Sequence, residues 1–408
     1  MMRSYLTVLK VPGALAFCMA GLLARFGGSM VGIGTVVMAS NLYGNYGIAG
    51  GLSAANSVAW AVGTAFLSNL VDRYGQRRIM LPAALISAAS LAGLVTLALF
   101  QAPIVTLFIS TIISGFTGGS PGAMVRARWN YVLRSSRDLH TAYSLESTLD
   151  EVCFVVGPVL AVLLATSIHP VAGLAAPVLF GVGGALIFYS LRATQPDIIP
   201  REPGSSDRGR FLLTYPGIIS VLGVGFLMGN LFGCVDVTVV AATTTWNVQN
   251  LAGIVLGVMS LGSAVGGLLY GARGWATPLW KRFVIGVCVI GVAACTLLFS
   301  VNPLTLSCFG FATGFAVAPT FINANGLIGN LIPRSRLTEG LAWLGTAIGI
   351  GVSLGAAASG NLIDAYGYRA GFATAAGCGL MAATVGLISA RKLKSLTTRP
   401  VGALDEDE

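Results

Sequence analysis

Four acidic residues stand inside long apolar stretches of this 408-residue sequence. Glu146 and Asp150 are four residues apart, so a helix would place them on one face, with Glu151 about a third of a turn away. Asp236 stands alone in a later stretch, and Arg25 is the basic residue inside the first one. Within a bilayer each such charge costs roughly 3 kcal/mol, so it needs a partner, water or a chemical task. The five residues are therefore candidates for carrying protons or binding a charged group.

The composition indicates that the bilayer surrounds most of this chain. Hydrophobic residues make up 55% of the sequence and charged residues only 10%, whereas a soluble globular domain carries roughly 25% charged residues. With about 20 apolar residues for each membrane helix, a chain of this length accommodates about a dozen crossings. Helices are required because backbone amides in hydrocarbon must be satisfied within their own segment.

Apolar stretches between polar, glycine or proline punctuation predict twelve transmembrane helices in two sets of six, an all-α membrane protein. The predicted spans lie near 13–40, 47–71, 79–100, 103–126, 142–166, 172–191, 214–241, 251–272, 283–301, 304–331, 338–361 and 370–390. We therefore expect an N-terminal six-helix bundle over 1–191, a cytoplasmic linker over 192–213, a C-terminal six-helix bundle over 214–391 and a cytoplasmic tail over 392–408. Two halves of similar length suggest parallel structural repeats.

The distribution of basic residues predicts the orientation. All Lys and Arg residues except Arg25 and Arg369 fall at the N-terminus, in or beside the loops after even-numbered spans, or in the C-terminal tail. The opposite connections 41–46 and 243–250 contain none, which by the positive-inside rule places both termini in the cytoplasm. The formal net charge of +9 thus reports topology and does not indicate a nucleic-acid partner.

The sequence argues against an enzyme. No histidine stands in a plausible nucleophile arrangement, and no glycine-rich phosphate loop is followed by Lys and Ser or Thr. No His or Cys cluster has metal-ligand spacing, and the seven cysteines lie singly in apolar stretches. We expect no catalytic residues, cofactor or metal. A channel is the other alternative to a carrier, but no repeated filter sequence is present.

The turn after the second span carries the most specific motif, since residues 68–78 read SNLVDRYGQRR. This turn resembles the signature loop of the major facilitator superfamily, in which Gly, Leu, Asp, Arg and Gly precede basic residues. The matching positions, which are the gating candidates, are Leu70, Asp72, Arg73, Gly75 and Arg77. Ser68 replaces the first glycine and Gln76 the first basic residue. The layout of six plus six helices extends the resemblance over the whole chain, nearest to bacterial drug and metabolite efflux members.

The resemblance implies a fold and a working cycle. It implies that the loop with Asp72 and Arg73 is a conformational latch between two halves that alternately open a shared cavity; a simple topology anchor is the alternative. Spans 1 and 5 lie close in such folds, so we expect Arg25 to pair with Asp150 or Glu151. A structural ion pair remains an alternative, but the surplus carboxyl could carry a proton.

Polar and aromatic residues in spans 7 and 10 are candidates for the substrate cavity. Span 10 borders the cavity in the resembled fold, and it carries a helical stripe with Phe311, Phe315 and Asn323. Asn230 lies near Asp236 in span 7. Asp236 could bind a cationic group of the substrate, carry the proton, or serve as a hydrogen-bonded structural acid.

These features predict a monomeric secondary transporter of the plasma membrane that moves a small organic solute, with protons and membrane lipid as its other partners. A cavity with few fixed charges favours proton-coupled export. Gly157 and Pro158 match the end of a motif found in antiporters of the resembled family, but the other glycines of that motif are missing. Proton-coupled uptake of a sugar or other metabolite therefore stays open, as does a non-transporting receptor or lipid-handling protein.

The orientation can be tested by single-cysteine labelling in a background without the native cysteines. We expect Arg134→Cys to react with a membrane-impermeant maleimide only after cell permeabilisation, and Asn247→Cys to react in intact cells. The reverse pattern would overturn the orientation and the predicted sidedness of every loop.

Overall fold

The computed structural model describes residues 2–43, 46–198, 212–248 and 251–398, and within these ranges helices are joined by short turns without any strand. The helices before residue 199 are α1 (Met2–Leu9), α2 (Ala14–Tyr43), α3 (Tyr46–Tyr74), α4 (Gln76–Leu99), α5 (Ile104–Gly118), α6 (Pro121–Val132), α7 (Ser136–Ser167) and α8 (Ala172–Ser190). Those after residue 211 are α9 (Ile218–Thr245), α10 (Ala252–Gly271), α11 (Leu279–Thr296), α12 (Pro303–Phe315), α13 (Val317–Leu331), α14 (Leu337–Tyr366) and α15 (Tyr368–Thr398). Much of the predicted linker and tail, at 199–211 and 399–408, lies outside the described residues.

The chain divides into two compact units. The first unit holds the described residues of Met2–Ala142 and Leu149–Pro200, and the second holds Tyr143–Thr148 and the described residues of Arg201–Glu408. The boundary therefore passes twice through α7, the helix that carries Glu146 and Asp150.

Eleven stretches of the described chain are long and apolar enough to cross a membrane, with α5–α6 and α12–α13 each forming one stretch. Helix α3 is not among these eleven stretches. It is 29 residues long, which is enough to cross a membrane, but its several Gly, Ser and Asn residues lower its hydropathy. The protein is thus an all-α, multi-pass membrane protein, with six crossings from α2 to α8 and six from α9 to α15. The sequence does not predict the short helix α1, which precedes the first apolar stretch.

Two predicted spans are broken rather than continuous. Between α5 and α6 the backbone turns at Gly119, whose φ is 63°, and Pro121 begins the next helix. The indole N–H of Trp60 donates to the Gly119 carbonyl at 2.7 Å, which satisfies a group released by the break. Between α12 and α13, Pro319 has no N–H to offer the carbonyl of Phe315. Both breaks therefore follow from glycine or proline inside an apolar stretch.

Glycines allow several helix pairs to touch backbone to backbone. In the second unit, a Cβ atom added at Gly229 or Gly233 of α9 would overlap a carbonyl oxygen of α14, and one added at Gly355 of α14 would overlap the Asn230 carbonyl. Helices α10 and α12 meet in the same way at Gly266. Because lipid supplies no hydrophobic drive between helices, such close packing contributes much of the attraction.

The close contact between α9 and α14 generates a stability prediction with a control on the same helix. Gly233→Ala should lower the free energy of unfolding by about 1–3 kcal/mol, because the new methyl would overlap the backbone of Val352. A backbone atom, unlike a side chain, cannot move aside by changing its rotamer. Gly223→Ala, also in α9, adds its methyl in open space and should be neutral or stabilising. Thermal unfolding of both variants in detergent checks this. Equal melting temperatures would contradict the packing account.

Candidate functional site

Asp150 is the centre of an ion-pair network in the first unit. Its Oδ1 atom lies 2.5 Å from a guanidinium nitrogen of Arg25, and its Oδ2 atom lies 2.7 Å from one of Arg126. The side chains of Arg25 and Arg126 are 8% and 11% exposed, and that of Asp150 is 24% exposed. Helices α2, α6 and α7 each contribute one of the three residues, so the network ties three membrane-spanning segments together.

The two arginines are held by the backbone of their own helices. Arg25 donates from Nε to the Gly21 carbonyl at 3.1 Å, and Arg126 donates from Nη1 to the Gly122 carbonyl at 3.3 Å. Gly122 also leaves the space that both side chains use, since a Cβ atom there would lie 3.1 Å from Arg126 Nη1 and 3.5 Å from Arg25 Cδ. The small residue at this position lets two guanidinium groups reach one carboxylate.

The sequence predicts a pair between Arg25 and either Asp150 or Glu151, and the structure shows the pair with Asp150. Sequence reasoning missed Arg126, because a basic residue near the end of a span is expected to stay with the basic loop that follows. The available signal was its place between the apolar residues Val125 and Ala127, which the structure shows to be buried. Glu146 is fully buried and Glu151 is half-buried, and both take part in further polar or electrostatic contacts.

Asp236 has a different environment in the second unit. Its side chain is exposed, and it forms no hydrogen bond or ion pair with any residue that the structure describes. It follows Phe232 by one helical turn and so shares its face. The Phe232 ring lies 6.0 Å from that of Phe321 in α13. An exposed acid within a membrane-spanning helix is costly unless water or a solute reaches it.

The candidate cavity residues of the second unit differ in their exposure. Phe315 is 40% exposed, and its ring lies 6.4 Å from that of half-buried Phe311. Asn230 is half-buried and donates its amide N–H to the Phe226 carbonyl within α9. Asn323 is 1% exposed and accepts a hydrogen bond from the hydroxyl of Tyr270. The surface-accessible members of the set are therefore the two phenylalanines and, in part, Asn230.

Tyr270 connects Asn323 to the basic turn between α10 and α11, a feature that the sequence does not predict. Its hydroxyl donates to Asn323 Oδ1 at 2.9 Å and accepts from Arg282 Nη1 at 3.3 Å. Its carbonyl accepts from the Trp275 indole, and the two rings lie 4.5 Å apart. Arg273 in turn lies 5.3 Å from the Trp275 ring centroid. This turn corresponds to the motif turn of the first half but lacks its aspartate.

The motif turn itself joins α3 to α4. Gly75 has a φ of 87° and its N–H donates to the Val71 carbonyl at 2.7 Å, which ends α3 in a conformation that favours glycine. Asp72 is half-buried and takes part in further contacts, whereas Arg73 is exposed. Buried Ser68 donates to the Thr64 carbonyl at 2.5 Å, so its hydroxyl is satisfied within the helix.

Gln76 departs from the family pattern for a visible reason. It is buried, its Oε1 atom accepts from Arg128 Nε at 2.8 Å, and its Nε2 atom donates to the Met124 carbonyl at 3.1 Å. Fully buried Arg128 also donates to the Leu191 carbonyl and the Thr194 hydroxyl, and its guanidinium lies 3.9 Å from the ring centroid of Phe188. A second cation at position 76 would face Arg128, so a neutral amide is the compatible residue.

Solved transporter structures share this fold. The human organic anion transporter MFSD10 (TETRAN) is 16% identical with a TM-score of 0.68, covering 94% of this chain and 99% of that one. A bacterial homologue of the iron transporter ferroportin in its outward-facing state is 11% identical with a TM-score of 0.75, covering 94% and 99%. The proton:xylose symporter XylE bound to 6-bromo-6-deoxy-D-glucose is 15% identical with a TM-score of 0.68, covering 97% and 99%.

At the level of sequence, no curated protein matches the chain. The model of the family described as Major Facilitator Superfamily matches residues 17–272 and 221–404, which together extend over nearly the whole chain. The motif turn at Asp72 and Gly75, the twelve crossings and the shared fold agree with this match. The chain therefore belongs to the Major Facilitator Superfamily and is a membrane transporter rather than an enzyme.

Proposed function

We propose that this transporter exports a small organic solute across the plasma membrane in exchange for protons, with Asp150 as the proton-coupling residue. The observation that carries the proposal is the convergence of Arg25 and Arg126 on that one carboxylate, from three separate membrane-spanning segments. Arg25, Glu146, Glu151 and Asp236 are the other proposed coupling residues. The N- and C-termini would lie in the cytoplasm and the protein would act as a monomer.

Protonation of Asp150 would change the forces between the helices that hold it. The ionised carboxylate attracts both guanidinium groups, which are largely buried and therefore poorly screened. A neutral carboxyl would leave two cations facing each other, and their repulsion would favour separation of α2 from α6. Proton binding would thereby be linked to helix position, which is the requirement for a coupled carrier.

Asp236 and the phenylalanines of span 10 support a solute site in the second half. Asp236 is an exposed carboxylate without a described partner, and Phe315 offers an exposed aromatic surface. An aromatic surface and one acid suit an amphipathic or weakly cationic solute, through apolar contact and cation–π attraction. Asn230 and Phe311 complete the accessible part of the proposed set. Asn323 is 1% exposed and hydrogen-bonded to Tyr270, so it would meet the solute only in another state of the cycle. The two bundles, 1–191 and 214–391, would open this site alternately to either side.

Proton-coupled uptake is the second candidate. In antiporters of the family, glycines accompany the Gly-Pro pair that this chain keeps at Gly157 and Pro158, but here Leu160, Ala161 and Val162 follow. Pro158 also lies within the continuous helix α7. A fold shared with a proton:xylose symporter is compatible with uptake as well. The direction of solute movement therefore distinguishes the two candidates.

The coupling proposal is tested by reconstituting the full chain into vesicles with an imposed pH gradient and an internal pH dye. The probes are ethidium as a cationic dye, xylose and alanine. We expect Asp150→Asn to abolish probe-dependent proton movement, and Asp236→Asn to reduce it or alter the choice of probe. Asp197→Asn is the matched control, since that acid lies outside the spans and accepts from Tyr131. Wild-type pH dependence in Asp150→Asn would refute the coupling role.

The direction is tested with the same probes in vesicles of known orientation. Export predicts that a probe accumulates inside inside-out vesicles when their lumen is acidic, because protons leave the lumen as the probe enters. Accumulation in right-side-out vesicles under an inward proton gradient would instead establish uptake. Saturable binding of a probe without movement in either preparation would favour a receptor.

The latch role of the motif turn gives a separate prediction. Asp72→Asn should change the reaction rates of cysteines placed on opposite sides of the solute pathway, because a latch biases the two open states. A shift of about 1 kcal/mol would alter the ratio of rates roughly fivefold. Asp197→Asn again serves as the control. Unchanged rates in Asp72→Asn would leave the turn as a topology anchor.

A further inference from the structure

A basic groove lies in the first unit beside the motif turn. It occupies about 360 Å³, which is within the range of small-ligand sites at roughly 300–1,000 Å³. Its lining consists of three arginines, one glutamine, one aromatic ring and two apolar side chains, namely Arg77, Arg78, Arg192, Gln195, Tyr74, Leu81 and Pro82. No acid lines the groove among the residues that the structure describes.

The groove is formed where three parts of the chain meet. Tyr74 ends α3, the next four lining residues lie in the first turns of α4, and Arg192 and Gln195 follow α8. The Arg77 amide donates to Gln195 Oε1 at 3.3 Å, which joins the start of α4 to the segment after α8. The Arg78 guanidinium lies 6.0 Å from the Tyr74 ring centroid. The site is thus part of the folded unit rather than a chance group of surface side chains.

Within the described ranges, no acid compensates the positive charge of the three guanidinium groups. None of them forms an ion pair with an acid among the described residues. Asp197, the acid nearest in sequence to Arg192, accepts a hydrogen bond from the Tyr131 hydroxyl. Arg78 and Arg192 are exposed, and Arg77 is half-buried. The groove therefore attracts a small anion with several acceptor oxygens, for which the planar arginine fork is suited.

The apolar part of the groove identifies which anion fits. Tyr74 is 48% exposed, Pro82 is also exposed, and Leu81 is half-buried beside them. These residues belong to the end of one membrane-spanning segment and the start of another. In a bilayer the apolar wall would therefore adjoin the acyl region, and the arginines would adjoin the headgroup region. A free phosphate ion would use the arginines but leave the apolar wall uncovered.

We propose that this groove binds an anionic phospholipid, with the phosphate on Arg77, Arg78 and Arg192 and the acyl chains along Tyr74, Leu81 and Pro82. Basic pockets between membrane helices attract such headgroups. The bound lipid would occupy the side of the motif turn formed by the start of α4. This inference is independent of the proposed coupling role of Asp150.

The test is lipid titration of the detergent-purified full-length protein followed by native mass spectrometry. The probes are palmitoyl-oleoyl phosphatidylglycerol and phosphatidylcholine, which share acyl chains and differ in headgroup charge. The wild type should bind the anionic lipid more tightly. Arg78→Gln and Arg192→Gln should each weaken that binding about fivefold and leave phosphatidylcholine unaffected. Both replaced side chains are exposed, and thermal unfolding verifies that the variants remain folded.

Arg391→Gln is the matched control, because Arg391 is an exposed arginine near the end of α15 and outside the groove. Its lipid affinities should equal those of the wild type. Equal affinity of the wild type for the two lipids, or unaltered phosphatidylglycerol binding in both groove variants, would overturn the proposal. An affinity for inorganic phosphate equal to that for phosphatidylglycerol would also overturn it, because the apolar wall would then contribute nothing to binding.

Discussion

Direct contact between helix backbones is the constraint on which this fold depends. Lipid tails are as apolar as the side chains, so moving an apolar side chain from lipid into a helix interface yields little free energy. Membrane helices therefore associate through close packing and polar contacts. Gly233 and Gly355 bring α9 and α14 together at the level of carbonyl oxygens, and Gly63 of α3 and Gly115 of α5 do the same in the first unit. Because a methyl at such a position meets backbone atoms, the spacing of these helices depends on the absence of a side chain.

The arrangement of charged residues inside the spans depends on the same apolar surroundings. Asp150 lies between Arg25 and Arg126, and Gly122 provides the room for both arginines. Elsewhere glycine lets helix backbones touch, and here it lets two largely buried guanidinium groups reach one carboxylate. In the proposed coupling, neutralising this acid would replace attraction with repulsion between Arg25 and Arg126. The charge of Asp150 therefore helps to hold α2, α6 and α7 together, and the proposed proton coupling would act through the same carboxylate.

The sequence predicts the parts of this structure that depend on local composition. The lipid-crossing segments and the turn at Gly75 follow from hydropathy and glycine placement. The pairing of Arg25 with an acid in α7 needed the family resemblance as well, because depth alone does not say which helices are neighbours. The roles of Arg126 and Arg128 do not follow, because a basic residue near the end of a span has the same sequence pattern whether it extends to the headgroups or turns inward. Burial of Arg128 against Gln76 and Phe188 results from tertiary packing of segments far apart in sequence.

The departures from the family motif are explained by this packing. Gln76 replaces a basic residue because Arg128 already supplies the charge, from another helix, to the same buried place. In the second unit the corresponding turn has no aspartate, and the Tyr270 hydroxyl accepts from Arg282 while donating to Asn323. A phenol makes the same kind of contact with an arginine as a carboxylate but adds no negative charge. The turn of the second half thus contacts its arginine through a neutral phenol, whereas the first half keeps the half-buried Asp72 in its turn.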